Sequence, residues 1–600
     1  MRTNAPAGLL LAAGRAFPLI AAGLLLGRCA SPLHDQQTES LRRTIAQAAG
    51  REMVEAQRTP DVITLTREPR VESLGLRDDI LQELEGMAGP NSYVNFSAPL
   101  GDPLLPGEQR VVHITLEHAI RSAVQNNLNI QFARLAPAIS QARLVAAQAA
   151  FDWVLFADGS WQHIDQPRIS SAFGVQFDRR EVLSLNAGVR RQLSTGGVFS
   201  VSSAFTYTDN TTPGLPTSPN PGYENNILLQ IDQPLLRNFG SDAALAEVRL
   251  ARNAERDDIQ ELKSQLISTV TQVEEAYWTL VRAQYDLKIV QRLLEAGEDV
   301  RRTLEGRQFD VTPAQLSDAR ASVETRRANV FRAQNALRRA STALKQLIND
   351  ESLPVGSETL VLATDSAIDA PVQFSLADAF RVAMANRPEV QRALLSIDDT
   401  AIRLRLADNQ RLPVLNLRAQ TRFSGLGEDT GDAYANLFED GFVDYLISLQ
   451  FEMPIGNRGQ EARYQERRIE QMQAVISYRN TLQNIAAEVK NALYDVVTNY
   501  ALIEQTRAAR VAAAENVRTL LVEEELIRGY TVEFLDLKLR RQEALAAAEQ
   551  DEIDALIQYN TALARLYAAM GTALERNQIQ FSVPDVPQLA PLSPLSPFQP

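Results

Sequence analysis

The sequence is poor in the residues that staple, ligate and oxidise. Among 600 residues there is a single cysteine, Cys29, which excludes an intrachain disulfide, a CxxC metal site and a dithiol redox pair. The four histidines, His34, His113, His118 and His163, are too scattered for a zinc site by local spacing. No metal and no other cofactor is expected. Basic residues are outnumbered, 60 Lys and Arg against 74 Asp and Glu, for a net charge of −14. That balance argues against general nucleic-acid binding, which needs a basic surface to neutralise phosphates. HExxH, GxSxG, Walker and GxGxxG constellations are all missing, so an enzyme is not expected. After residue 30 no apolar run approaches the ~20 residues of a transmembrane helix. If the chain spans a membrane, it must do so as a closed β-barrel. Apolar content is not lacking: 45% of residues are hydrophobic and only 22% charged, which argues against wholesale disorder.

Arg2 gives a basic start, Pro18 to Leu26 a short apolar run, and Cys29 follows almost at once. Residues 1–29 therefore read as a secretory signal peptide. Leu26-Gly27-Arg28-Cys29 also resembles a bacterial lipobox, which would make the Cys29 thiol a lipidation site and the mature N-terminus. Arg28 departs from that pattern, which has a small residue there.

Length alone suggests about three or four domains, but self-comparison gives a different division. Leu116, Ala119, Arg121, Ala123 and Asn126 recur at one constant offset as Leu376, Ala379, Arg381, Ala383 and Asn386. The match runs on through Ala133/Ala393 and Arg143/Arg403 to Leu155/Leu415. At a shorter offset Gln233-Pro234-Leu235 echoes Met453-Pro454-Ile455, and Thr312-x-x-x-Leu316 echoes Thr531-x-x-x-Leu535. The predicted organisation is a leader at 1–29, an extension at 30–110, and a first repeat at 111–350. A linker at 351–373, a second repeat at 374–575 and a Pro-rich tail at 576–600 follow. In the extension, Gln36–Arg58 looks helical and the rest extended.

Each repeat orders its parts as helix, strand region, Pro, very long helix, turn, helix. Asp242 to about Arg302 contains no Pro and a single Gly, Gly297. A helix of that span would be ~90 Å long. About Gln460 to Ile527 contains neither Pro nor Gly. Leu266, Val270, Val273, Tyr277, Leu280, Leu287, Val290 and Leu294 step in threes, fours and one seven, a heptad seam. Leu482, Ile485, Val489, Val496, Tyr500 and Ile503 keep that rhythm in the second repeat. The helices alone also suit an antiparallel coiled coil with no pore.

Between the helices the period drops to two. Leu183, Leu185, Ala187 and Val189 alternate with Ser184, Asn186, Gly188 and Arg190. Val443, Tyr445, Ile447, Leu449 and Phe451 alternate with Asp444, Leu446, Ser448, Gln450 and Glu452. Segments of about ten residues with one apolar and one polar face suit barrel strands, lipid outside and water within. A soluble sandwich gives the same alternation, but it does not account for very long helices leaving the strands at Pro234 and Pro454. Strand-like pieces fall at about 151–163, 181–193, 198–208 and 226–233 in the first repeat, with Thr195-Gly196-Gly197 turning the middle pair. Only two, about 414–423 and 442–453, fall in the second.

In these features the chain resembles the TolC-like outer-membrane efflux protein (outer membrane factor) family over about residues 110–575. The resemblance rests on the doubled opening, Leu116…Asn126 and Leu376…Asn386-Arg387-Pro388, and on the strand-exit motifs Gln233-Pro234-Leu235-Leu236 and Met453-Pro454-Ile455-Gly456-Asn457-Arg458-Gly459. The helix-turn segment Arg528-Gly529-Tyr530-Thr531 leading to Phe534-Leu535-Asp536 adds to it. It implies a mainly α fold with a membrane β-barrel part, in which long antiparallel coiled-coil helices form an α-barrel tunnel. The strands then join those of other copies in a trimeric barrel, four from each copy and twelve in all. It also implies a homotrimer in contact with outer-membrane lipid, a periplasmic adaptor (membrane fusion) protein and an inner-membrane pump as partners, and no nucleic acid. Such a protein is the exit duct of a tripartite efflux or type I secretion system in the bacterial outer membrane. The resemblance makes Asp318 and Asp536 candidates for a tunnel gate. It makes Asp310, Thr312, Arg528, Gly529, Tyr530 and Thr531 candidates for an adaptor-docking tip. Arg418, Arg422, Asp232 and Glu452 fall on the polar parity of the strands. The extra hairpin of the first repeat either joins the barrel or stands outside it, and standing outside is the reading favoured here. The alternative of another class is a coiled-coil envelope scaffold without a conducting pore.

Overall fold

A computed structural model describes residues 47, 50, 65, 70–94, 96–102, 110–170, 174–212, 217–306, 312–439, 442–527 and 532–581, without side chains at 168–170, 174–177, 525–527 and 532–533. The leader with Cys29, nearly all of the helix expected at Gln36–Arg58, and the tail beyond 581 lie outside the described residues.

Along the chain, α1 (Asp78–Met87) is followed by β1 (Val111–Ile114), α2 (Leu116–Asn126) and α3 (Leu128–Gln148). Four strands come next: β2 (Val154–Ser170), β3 (Gly174–Gln192), β4 (Val198–Asn210) and β5 (Gly222–Pro234). The long helices α4 (Ala246–Glu305) and α5 (Pro313–Ile348) complete the first half. Then come β6 (Leu360–Ala363), α6 (Leu376–Asn386), α7 (Pro388–Gln410), β7 (Val414–Gly427), α8 (Thr430–Glu439) and β8 (Val443–Glu452). The chain closes on α9 (Arg458–Ile527) and α10 (Val532–Ala569). Helix α4 has 60 residues and α9 has 70, several times an ordinary helix of ~11. Pro313 and Pro388 stand at the first helical position, where the missing N–H costs nothing.

The chain divides into two units. Of the described residues, one unit comprises those within 139–256 and 394–477, the other those within 47–138, 257–393 and 478–581. The first unit holds a six-stranded sheet in the order β2-β3-β4-β5-β7-β8, antiparallel at every step. The six strands are those expected, but the additional hairpin does not stand apart from the others. The four strands of the first repeat and the two of the second form one continuous ladder, and the additional hairpin lies within it. β3 and β4 pair from Arg180↔Asn210 to Gln192↔Val198, and β4 and β5 from Val198↔Asp232 to Thr208↔Gly222. The hairpin is held because its turn docks on the exit of β5. Gly196 takes φ +88°, the Thr195 hydroxyl donates to Gln233 Oε1 at 2.8 Å, and the Gly240 N–H donates to the Thr195 carbonyl at 3.0 Å. A left-handed conformation at Gly196 costs a glycine nothing.

The second unit is built on the heptad seam. Val270, Val273, Tyr277, Leu280 and Leu287 of α4, and Leu482, Ile485, Val489, Val496, Tyr500 and Ile503 of α9, are all buried. β1 and β6 pair in parallel, Val111↔Leu360 to Ile114↔Ala363. Residues 351–373, expected as a linker, thus contribute a strand. The Tyr277 hydroxyl ties that pair to α4: it accepts from the Thr364 and Asp365 N–H groups at 3.2 and 3.1 Å and donates to Asp365 Oδ2 at 2.9 Å. Helices α2 and α6, both eleven residues, are capped by the Thr115 and Ser375 hydroxyls, which satisfy N–H groups that a helix start leaves open. Part of the extension is also helical where extended chain was expected. Leu84 of α1 and the following Ala88 pack on Val511 and Ala514 of α9.

Candidate functional site

The register of the sheet assigns every strand residue to one of two faces. On one face, neighbours across all six strands run Leu155–Val189–Val201–Leu229–Thr421–Tyr445 and Ala157–Ala187–Ser203–Ile227–Phe423–Val443. On the other they run Val154–Arg190–Ser200–Gln230–Gln420–Leu446 and Asp158–Asn186–Ala204–Asn226–Ser424. The first face is an apolar band and the second is mainly polar. Aromatic pairs flank the band: Trp153 meets Phe199 edge-on at 6.3 Å at one side, and Tyr207 meets Tyr223 at 5.3 Å towards the other. Beyond Trp161 the same face turns charged, with His163 against Glu181 at 3.2 Å and Asp165 against Arg179 at 3.2 Å. A limited apolar band between aromatic girdles is the pattern of a lipid-facing barrel wall.

Helix α8 covers one end of that face. Gly425 and Gly427 have no room for a Cβ, because the backbone of Ala433 and Leu437 lies directly on them. Ala433 and Leu437 are buried beneath the helix, while Phe438 is 73% exposed. Sequence reasoning did not find this helix; the only signal was an apolar pair four residues apart.

Asp232, Arg418, Arg422 and Glu452 all fall on the polar face, as their parity requires. Asp232 and Arg418 are directly opposed on β5 and β7, with Arg418 Nε donating to Asp232 Oδ1 at 2.6 Å. Gln230 Nε2 also donates to that carboxylate, at 2.5 Å. Arg422 stands opposite Leu228 and Asp444.

At the far ends of α4, α5 and α10, Val300, Leu304, Ala319 and Leu535 form a small apolar cluster. Asp318 and Asp536, the gate candidates, are exposed residues next in sequence to Ala319 and Leu535. The cluster thus gathers the two segments that carry them, and Asp536 is paired with Arg540 at 2.6 Å on its own helix. Thr312 lies at the start of α5, where its N–H donates to Gln315 Oε1 at 2.9 Å. Asp310, Arg528, Gly529, Tyr530 and Thr531 lie outside the described residues.

Two buried polar constellations in the second unit escaped sequence reasoning. Arg326 of α5 donates to the Leu293 carbonyl of α4 and the Leu539 carbonyl of α10, both at 3.0 Å, and pairs with Glu543 at 3.3 Å. Burial lowers its pKa, and Glu543 opposes that. Arg510 of α9 is fully buried and binds Glu552 of α10, Glu85 of α1 at 2.5 Å, and the Ala88 carbonyl. Beside it the Tyr93 hydroxyl donates to Glu549 Oε2 at 2.7 Å, and Arg292 stacks 3.8 Å from the Tyr93 ring centroid. Burial pushes the Glu549 carboxyl up to about 7, against the pull of Tyr93, Arg292 and Arg510. The extension is therefore fastened to α4, α9 and α10 by buried charge. Single charged letters on heptad helices do not announce such a role.

No helix among the described residues is long and apolar enough to cross a membrane. The two-faced sheet and the long helices define the class by likeness. Residues 380–572 match the family described as outer membrane efflux protein. The fold is similar to that of the Campylobacter jejuni CmeC outer membrane channel, with a TM-score of 0.55 and 15% identity over 80% of this chain and 93% of that one. It is similar to the outer membrane protein VceC of Vibrio cholerae, with a TM-score of 0.53 and 16% identity over 76% and 96% of the two chains. For CusC the TM-score is 0.53 and the identity 17%, over 80% and 98%. No curated protein sequence matches the chain. The resemblance to TolC-like outer-membrane efflux proteins is thus borne out, by the family match over 380–572 and by the likeness of fold.

Proposed function

We propose that this chain is the outer-membrane exit duct of a tripartite efflux or type I secretion system. Three copies pool their strands into one barrel, and substrate crosses passively through a water-filled bore. The observation that carries this reading is the single sheet with one apolar and one polar face, in the same chain as helices of 60 and 70 residues. The polar face, with Arg418, Asp232, Arg422 and Glu452, lines the bore, and the apolar face meets lipid. The helix turns near Thr312 and 528–531 form the periplasmic tip, where Asp310, Thr312, Arg528, Gly529, Tyr530 and Thr531 meet the adaptor and the pump delivers cargo. In a trimer Asp318 and Asp536 recur at common levels, and three carboxylates at one level repel each other and attract cations. That makes them the gate.

Conductance across planar bilayers tests the reading. Purified protein is expected to conduct, with larger and more persistent openings in Asp318→Asn and Asp536→Asn. Protein that never conducts, including both variants together, favours a coiled-coil envelope scaffold instead.

A further inference from the structure

Among the described residues the ladder of six strands is open at both ends, since β2 pairs only with β3 and β8 only with β7. Both free edges carry the apolar band. Leu155 and Trp161 of β2, and Tyr445, Ile447 and Leu449 of β8, are each more than 60% exposed. An unpaired row of N–H and C=O groups in hydrocarbon costs several kcal/mol per group. Six strands are too few to close on themselves, because spanning barrels start at about eight. A second copy of this chain must therefore cover each edge.

Strand direction selects how. The sheet is antiparallel throughout and has an even number of strands, so β2 and β8 run in opposite senses. When β8 of one copy meets β2 of the next, the seam is antiparallel and the two apolar faces stay on one side. The contact is head-to-tail, which a ring of copies closes.

β3 and β4 cannot be left out of such a ring. They lie between β2 and β5, hydrogen-bonded to both neighbours. Their apolar parity is Leu183, Leu185, Ala187 and Val189 on β3 and Phe199, Val201 and Phe205 on β4, in line with Leu229 and Ile231 on β5. A hairpin standing in water would expose that row.

We propose that every copy contributes all six strands, joined β8 to the β2 of the next copy, so that the trimeric duct encloses an eighteen-stranded barrel instead of a twelve-stranded one. The count of eighteen rests on the trimer of the proposed function; the six-strand contribution and the β8–β2 seam do not. Barrel diameter grows roughly linearly with strand number, so the bore is about half again as wide. Barrels of 16–18 strands hold an open aqueous channel.

Cysteine pairs in intact outer membranes test the seam. Facing residues of an antiparallel pair approach closely enough for a disulfide. Ile447→Cys is combined in turn with Leu155→Cys, Ala157→Cys and, on β4, Val201→Cys, with the single variants as controls. On oxidation the two β2 combinations are expected to form a covalent ladder that ends at the trimer, and the Val201 combination none. Cross-linking of Ile447→Cys to Val201→Cys but to neither β2 position overturns the proposal, because β4 would then be the edge. A ladder that ends at the dimer supports the β8–β2 seam and overturns only the trimer. Strand counting by electron cryomicroscopy of the unmodified protein in nanodiscs serves where a variant fails to assemble. Eighteen strands from three copies are expected, and twelve strands from three copies overturn the proposal.

Discussion

Gly297 and Arg326 are fitted to each other. Where the Arg326 guanidinium of α5 crosses α4, residue 297 has no side chain, and a Cβ there would stand 2.7 Å from Nη1. That gap lets the buried cation reach the Leu293 and Leu539 carbonyls on two other helices. The lone glycine of a 60-residue helix is a packing device.

Helix propensity alone says that Gly297→Ala stabilises α4 by about 1 kcal/mol. The crossing guanidinium reverses that sign, and a loss of roughly 1–3 kcal/mol is expected from overpacking. Arg326→Met should cost a similar amount through its lost charged hydrogen bonds, about 1.5–3 kcal/mol. The two changes combined should cost less than their sum, because the alanine no longer meets a guanidinium. Thermal unfolding followed at 222 nm reads all three; a higher midpoint for Gly297→Ala contradicts the fit.

The two faces of the sheet predict opposite tolerance at adjacent positions. Val201 is on the apolar face and Ser202 on the polar one. An arginine facing lipid near the bilayer midplane costs about 2–4 kcal/mol, so Val201→Arg should sharply reduce assembled oligomer in outer membranes. Ser202→Arg should leave it nearly unchanged. Equal yields from the two would remove the assignment of faces.

Arg418 and Asp232 form a partly exposed pair, and such pairs contribute only about 0–1 kcal/mol to stability. Their effect should appear in selectivity. If the polar face lines the bore as proposed, Asp232→Asn leaves the guanidinium uncompensated there and should shift the reversal potential towards anions, while Arg418→Gln should shift it towards cations. Identical reversal potentials in both variants and the parent would place the pair outside the ion path.

Glu549 should make stability fall as pH rises. Burial raises its carboxyl from 4.5 to about 7, so between those values the native protein holds a proton that the unfolded chain has released. The stabilising contribution is complete below 4.5 and is lost as pH climbs through about 7, at up to about 1.4 kcal/mol per pH unit. Glu549→Gln keeps an acceptor for Tyr93 and should flatten that stretch of the curve of unfolding free energy against pH. An unchanged slope means that Glu549 ionises freely.

Much of the architecture was legible because it is periodic. Heptad spacing marked α4 and α9 within a few residues, since a seam such as Leu266–Leu294 has to face one way along its length. Alternation marked both faces of β3, β5, β7 and β8, because one parity must be apolar wherever one face leaves water; β2 and β4 were located only as strand-like pieces. The parity of Asp232 and Arg418 was readable, but their pairing was not. It depends on which strands are neighbours and in what register. The same holds for Arg326 with Leu539 and for Tyr93 with Glu549, partners hundreds of residues apart whose own segments carry no trace of each other.

The sequence by itself determined the element types, the two-faced strands, the long helices and the resemblance to an outer-membrane efflux family, because each is written in local spacing or in a recurring order of motifs. Only the tertiary structure decided that β3 and β4 belong inside a single six-stranded ladder, that residues 360–363 pair with 111–114, and that the extension is bolted on through Arg510 and Glu552. Strand adjacency and buried charge pairing are choices between distant segments. Their free energy comes from hydrogen bonds and desolvation that exist only once those segments meet.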